Sequence, residues 1–231
     1  MTSTWRVAHK TRLLGHVTVM TSISKQQATA RRLVRDHGQT FAEEAGITVR
    51  DKPAPLWRLL VLALLLSARI DSGIAIKATR ELGRAGCRTP RRMLQSTWQD
   101  RVDALGRGGY RRYDERTATQ LAEAAELVID RRRGDLRRLH VEAGSDVVRT
   151  EKLLQEVNGI GPAGAAIFIR EAQAVWTDLR PYADSLVLDG ARVAGLQTSE
   201  EGLGDLVPPQ DVHRLVAACV RVAKDRDLLE S

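Results

Sequence analysis

A chain of 231 residues is long enough for one large domain or two small lobes around a real core. Hydrophobic residues make up 43%, while 4% aromatics leave that core to Leu, Val, Ala and Ile. A net charge of +7 favours a polyanionic partner such as nucleic acid, although arginine on solvated faces accounts for the same balance.

Cys87 and Cys219 are the two cysteines, too few for the four thiolates of a structural zinc or an iron–sulfur cluster. They imply no disulfide framework, so both are expected as small buried apolar residues in a reducing, cytoplasmic protein. The longest apolar run, Leu59 to Leu66, is too short to span a bilayer. No secretory signal is recognisable, and Met20 offers an alternative start. Residues 1–23 are expected to form a loose tail ahead of a helical domain over 24–231.

Ser24 is placed to cap a helix from Lys25 to about Glu44, ending near Gly46. Pro53-Ala54-Pro55 is expected to break the chain before an apolar helix over 56–68. Ser72 then reads as the cap of a helix over 73–83. Thr89-Pro90 reads as an N-cap with proline in the first turn, opening a short helix over 90–95. Another covers 97–105. Ala118, Leu121, Ala122, Ala125, Val128 and Ile129 recur at helical intervals, which predicts a long helix from Asp114 to Arg132. The Arg131-Arg132-Arg133 run at its end is expected to be solvated. Further helices are predicted over 145–156, 162–173, 184–194 and 210–224. No segment alternates convincingly as a strand, so the fold class is all-α.

The most informative segment runs Leu153-Leu154-Gln155-Glu156-Val157-Asn158-Gly159-Ile160-Gly161-Pro162-Ala163-Gly164-Ala165-Ala166. Two glycines one residue apart allow a tight turn and close backbone approach. Ile160 between them is placed to anchor the turn in the core. Pro162 suits the first turn of the next helix, whose amides are placed to hold a DNA phosphate without reading sequence. Carbonyls of such a hairpin also suit a monovalent cation facing that phosphate. Taken alone, a Gly-X-Gly linking two ordinary helices explains the segment equally well.

Feature order resembles the helix-hairpin-helix DNA glycosylases, most of all the endonuclease III branch. Leu62 to Thr79 resembles the family's buried helix, base-wedge loop and following helix. Gly109-Tyr110 with Arg116 to Leu127 resembles its Gly-Tyr turn and long helix, and Leu153 to Ala166 its hairpin. Pro181-Tyr182-Ala183-Asp184, continuing to Leu196, resembles the segment that bears the catalytic aspartate. The likeness covers residues 56–196. It implies a two-lobed fold, with an inner helical lobe over 70–157 and a second lobe from 24–69 plus 158–231. DNA would lie across the cleft between them.

Three positions depart from that pattern. Bifunctional members carry a lysine two residues after the second hairpin glycine, where this chain has Ala163; a Schiff-base lyase through that position is excluded. The cluster cysteines are absent. The loop that often holds a glutamine has Arg69.

The resemblance therefore implies a monofunctional glycosylase acting on a damaged or mismatched base in double-stranded DNA. Asp184 would be its catalytic carboxylate, stabilising an oxocarbenium-like sugar or activating water. Gly159, Ile160, Gly161, Ala163, Gly164, Arg69, Tyr110 and Arg111 would meet DNA. Asp184 reads equally as a helix N-cap. Arg69 reads as a wedge, a phosphate clamp or a partner of Asp71. Tyr110, Tyr113 and Trp176 read first as packing aromatics. Glu171 and Asp178 read as surface charges, and the five histidines show no metal-ligand spacing. A monomer without cofactor or membrane contact is expected. The competing reading is a non-catalytic protein that binds abasic or distorted DNA.

Overall fold

The structure is a computed structural model and describes residues 23–229. Except for Ile23, the expected tail and the Met20 start lie outside those residues. Among the described residues the chain is all-α, as its patterning requires. No described helix is long and apolar enough to cross a membrane.

The helices are α1 (23–37), α2 (Phe41–Glu44), α3 (Pro53–Leu66), α4 (Ser72–Arg84), α5 (Pro90–Gln95), α6 (Trp98–Arg107) and α7 (Asp114–Arg132). After them come α8 (Arg137–Ala143), α9 (Val147–Leu154), α10 (Pro162–Ala172), α11 (Ser185–Val193), α12 (Glu200–Gly204) and α13 (Val212–Lys224). They form two compact units. The central unit is Gln39–Tyr182, and the terminal unit joins the residues up to Gly38 with those from Ala183 onward. The breaks at 38/39 and 182/183 differ from lobe boundaries near 70 and 157. The cause is α3, which packs against both α4 and α10 and so ties the hairpin helix into one core with the inner helices.

In the central unit α3 is apolar except for Arg58, which donates to the Gly46 carbonyl. Leu56, Trp57 and Leu59 through Leu65 are all buried, each stabilising the fold by about 1.5–3 kcal/mol for the larger side chains. Around it, α4 packs on α6, α6 on α7, α5 on α7 and α9 on α10. In the terminal unit α11 crosses α13 closely. A Cβ added at Gly190 would stand 1.9 Å from the Cys219 carbonyl oxygen, so only glycine permits that crossing. Both cysteines are buried free thiols, as expected.

Several local expectations are corrected. The helix expected over 25–44 ends at residue 37. Thr40 then opens α2 through a reciprocal capping box with Glu43. Pro53 and Pro55 do not break the chain but occupy the first turn of α3, where the missing N–H costs no helical bond. Asp71, not Ser72, caps α4, its carboxylate accepting the Gly73 and Ile74 amides. The region expected as one helix over 145–156 is preceded by a separate helix, α8, ended by Gly144 and Ser145 with φ +64° each. Arg132 is not solvated: it is buried and paired with Glu142 at 2.9 Å and Glu156 at 3.4 Å. Glu171 is no surface charge. Buried at 6% exposure, its carboxylate accepts the Phe41 and Ala42 amides at the start of α2. Burial pushes its carboxyl above the usual carboxylate range despite those bonds.

Candidate nucleic-acid interface

The hairpin joins α9 to α10. Gly159 turns the chain at φ +92°, a region that disfavours side chains. A Cβ there would also meet the Gln120 amide at 3.0 Å. Gly161 plays a different part from the one expected of it. Its backbone is extended, at φ −94° and ψ −170°, and it is the N-cap of α10 rather than a second turn residue. Ile160 is buried at 4% exposure and anchors the turn, as its position between the glycines predicts. Asn158 donates to Glu123 at 2.6 Å, bracing the loop against α7.

Pro162 has no N–H, and the first helical bond runs from Ala165 to the Gly161 carbonyl at 3.0 Å. No side chain caps α10. The Gly161, Ala163 and Gly164 amides thus have no acceptor among the described residues. Gly161 and Ala163 are exposed. Gly164 is buried, and a Cβ there would stand 2.4 Å from Ser67 Oγ, so its lack of a side chain serves the packing of α10 on the end of α3. Orphan amides at a helix start carry partial positive charge and suit an anionic oxygen. The Leu154 and Val157 carbonyls accept the Val157 and Ile160 amides, each keeping one lone pair. Those oxygens are what the loop offers a monovalent cation; an amide–phosphate contact needs none.

Beside the hairpin the central unit holds a cavity of about 280 Å³. Gly159 from the hairpin, Arg69 and Ala68 from the loop after α3, and Tyr110 and Tyr113 from the turn before α7 line it. So do Arg116, Thr117 and Gln120 of α7 and Leu64 and Ser67 at the end of α3. Three segments singled out in the sequence therefore converge on one concavity. Arg69 is exposed and has no ion pair with Asp71, whose carboxylate is engaged as a cap. Tyr110 is buried at 2% exposure, and Thr117 Oγ1 donates to its hydroxyl at 3.4 Å. Burial pushes that phenol above its usual range. Tyr110 thus packs with only an edge in the cavity, whereas Tyr113 is half-buried with the Arg112 guanidinium 5.3 Å from its ring centre. Arg111 is exposed beside them and does not line the cavity. Trp176 packs elsewhere, stacked on His140 at 4.3 Å between ring centres.

Sequence reasoning missed Arg116, Thr117, Gln120 and Ser67. The first three and Tyr113 follow at three- and four-residue intervals, a polar stripe on a helix whose apolar stripe drew the attention.

Asp184 belongs to the terminal unit. It is half-buried and is the N-cap of α11, its Oδ1 accepting the Val187 amide at 3.2 Å. Glu200 accepts the neighbouring Ala183 amide at 2.9 Å, so the backbone before the cap is also held. Asp189, the next carboxylate on this segment, is exposed and paired with Arg192.

In structure the chain is similar to an endonuclease III trapped with DNA as a covalent intermediate, in its estranged-adenine complex. The identity is 16%, the similarity covers 85% of each chain and the TM-score is 0.47. No family model and no curated protein matches the sequence.

Proposed function

We propose that this protein is a monofunctional DNA glycosylase that hydrolyses the bond between a damaged or mismatched base and its sugar in duplex DNA. The observation that carries the reading is the hairpin. Its uncapped α10 amides sit beside a cavity built from the wedge loop, the Gly-Tyr turn and the long helix, in the order the glycosylase resemblance requires. The net positive charge and the exposed Arg69, Arg111, Arg112 and Arg116 supply the sequence-independent attraction to phosphate.

On this reading the α10 amides grip one strand phosphate and fix the register. Arg69 approaches the duplex as wedge or clamp while a nucleotide leaves the stack, at a cost of a few kcal/mol that is smallest for a damaged or mispaired base. The glycosidic bond then breaks heterolytically: the electron pair leaves with the base and the sugar becomes oxocarbenium-like. Asp184 is the carboxylate that stabilises this charge and accepts a proton from the attacking water; the departed base anion takes up one proton in turn, which returns Asp184 to its carboxylate form. The products are a free base and an intact strand with an abasic sugar. With Ala163 at the lyase position, no amine there forms an imine with that sugar. We place this activity in a monomer in the cytoplasm.

One observation favours the second reading, a non-catalytic binder of abasic or distorted DNA: N-capping α11 already accounts for Asp184. A panel of lesion-bearing duplexes, assayed with and without alkali, separates the two. Free base, with strand breaks that appear only after alkali, supports the glycosylase. Salt-sensitive binding without base release supports the binder.

A further inference from the structure

On the glycosylase reading the cavity beside the hairpin receives the base that leaves the stack, and the charge on its wall bears on which base that is. Arg69 and Arg116 line it, and no carboxylate does. Several buried or paired arginines of this unit are engaged by the protein. Arg101 donates to the Ala118, Met93 and Ser96 carbonyls, Arg132 pairs with Glu142 and Glu156, and Arg137 pairs with Asp135. Arg69 and Arg116 have no hydrogen bond or ion pair among the described residues. A guanidinium is a donor only and keeps its charge at every physiological pH. The remaining polar groups are neutral: the Gln120 amide and the hydroxyls of Ser67, Thr117, Tyr110 and Tyr113. Ser67 spends its proton on the Ala63 carbonyl at 2.6 Å. Tyr113 already faces a third cation, Arg112.

Such a wall is complementary to acceptor-rich groups and repels positive charge, and repulsion discriminates between ligands as effectively as attraction. Resting on the glycosylase reading, we infer that the cavity selects its base by charge. It accepts neutral, carbonyl-bearing or anionic bases and rejects N-alkylpurines with a fixed positive charge, with Arg116 as the main determinant. Arg116 is exposed on the long helix and braces nothing, so it can be replaced without disturbing the core.

The test uses the full chain and its Arg116→Glu and Arg116→Gln variants. Fluorescence anisotropy reads affinity for two duplexes of one sequence. One is undamaged; the other carries a 7-methylguanine on a 2′-fluoro sugar that prevents its release. Loss of a general phosphate contact weakens both equally and cancels in the ratio. Wild type is expected to show no preference for the cationic lesion. Arg116→Glu raises the lesion-to-undamaged ratio at least tenfold, with Arg116→Gln between. Two results overturn the inference: a wild-type preference for 7-methylguanine, or an unchanged ratio in Arg116→Glu. If that unchanged ratio accompanies base release in the lesion panel, charge selection alone fails; without release from any duplex, the glycosylase reading fails with it.

Discussion

Replacing Gly161 with aspartate sets the stability of the hairpin against its binding. Gly161 is an N-cap in extended backbone, and a Cβ added there meets nothing within 4 Å. The substitution is therefore free of strain. Its carboxylate would accept the orphan amides of α10, as Asp71, Asp146 and Asp184 do for the helices they cap. Glycine is already a fair cap, so the side chain adds a few tenths of a kcal/mol, and its charge at the positive helix end adds about 0.3–1 kcal/mol. The Gly161→Asp variant should be as stable as wild type or up to about 1 kcal/mol more stable. Its DNA affinity should move the other way, because the amides are occupied and a negative charge faces the phosphate. Losing one charge-assisted hydrogen bond costs about 1.5–3 kcal/mol, or about 10- to 150-fold in affinity. Gly161→Ser, a cap without charge, should fall between. Urea unfolding reads the first quantity and anisotropy on an undamaged duplex at low salt reads the second. Unchanged duplex affinity in a folded Gly161→Asp variant would refute the amide–phosphate contact.

Gly190→Ala gains about 1 kcal/mol of helix propensity, but its methyl would overlap the Cys219 carbonyl at 1.9 Å. Overpacking at about 1–3 kcal/mol or more should win, and an unaltered urea midpoint would contradict the close α11–α13 crossing. Asp178 accepts from His140 Nε2 at 2.8 Å and from Ser145 Oγ. Burial pushes its carboxyl up, but the Ser145 and His140 contacts outweigh it and leave it below the usual carboxylate range. Its folded-state pKa is thus lower than its unfolded one. The stability it confers is present at neutral pH and is lost as pH falls through the folded value. Asp178→Asn should flatten that acid-side decline in Tm, and superimposable Tm–pH curves would count against the contact.

Much of the framework was legible because local chemistry decided it. Thr89-Pro90 and the apolar repeat of 114–132 place α5 and α7 at the predicted residues. The hairpin was readable less from Gly-Ile-Gly-Pro, a weak signal by itself, than from its place between an apolar helix end and a second helix; Gly159 turns the chain, while Gly161 turned out to be a cap. Caps were less legible where two candidates adjoin: Asp71 and Ser72 are both good N-caps, and only the backbone geometry at Asp71 decides between them. Burial of charge was not legible at all. Arg132 and Glu171 read as surface residues because their partners, Glu142 and Glu156 for one and the α2 amides for the other, come from distant segments. The cavity wall was half legible. Arg69 stood out as a departure from a family pattern, but Arg116 and Gln120 lay hidden in an ordinary amphipathic helix.

Asp184 carries the chemical half of the account, and one substitution separates its two duties. Asparagine caps a helix about as well as aspartate, so Asp184→Asn should keep Tm and duplex affinity while removing the negative charge. Single-turnover base release from the preferred lesion duplex should then fall by a factor of about 100 or more. Release at the wild-type rate would show that the residue only caps its helix and that the proposed chemistry is wrong.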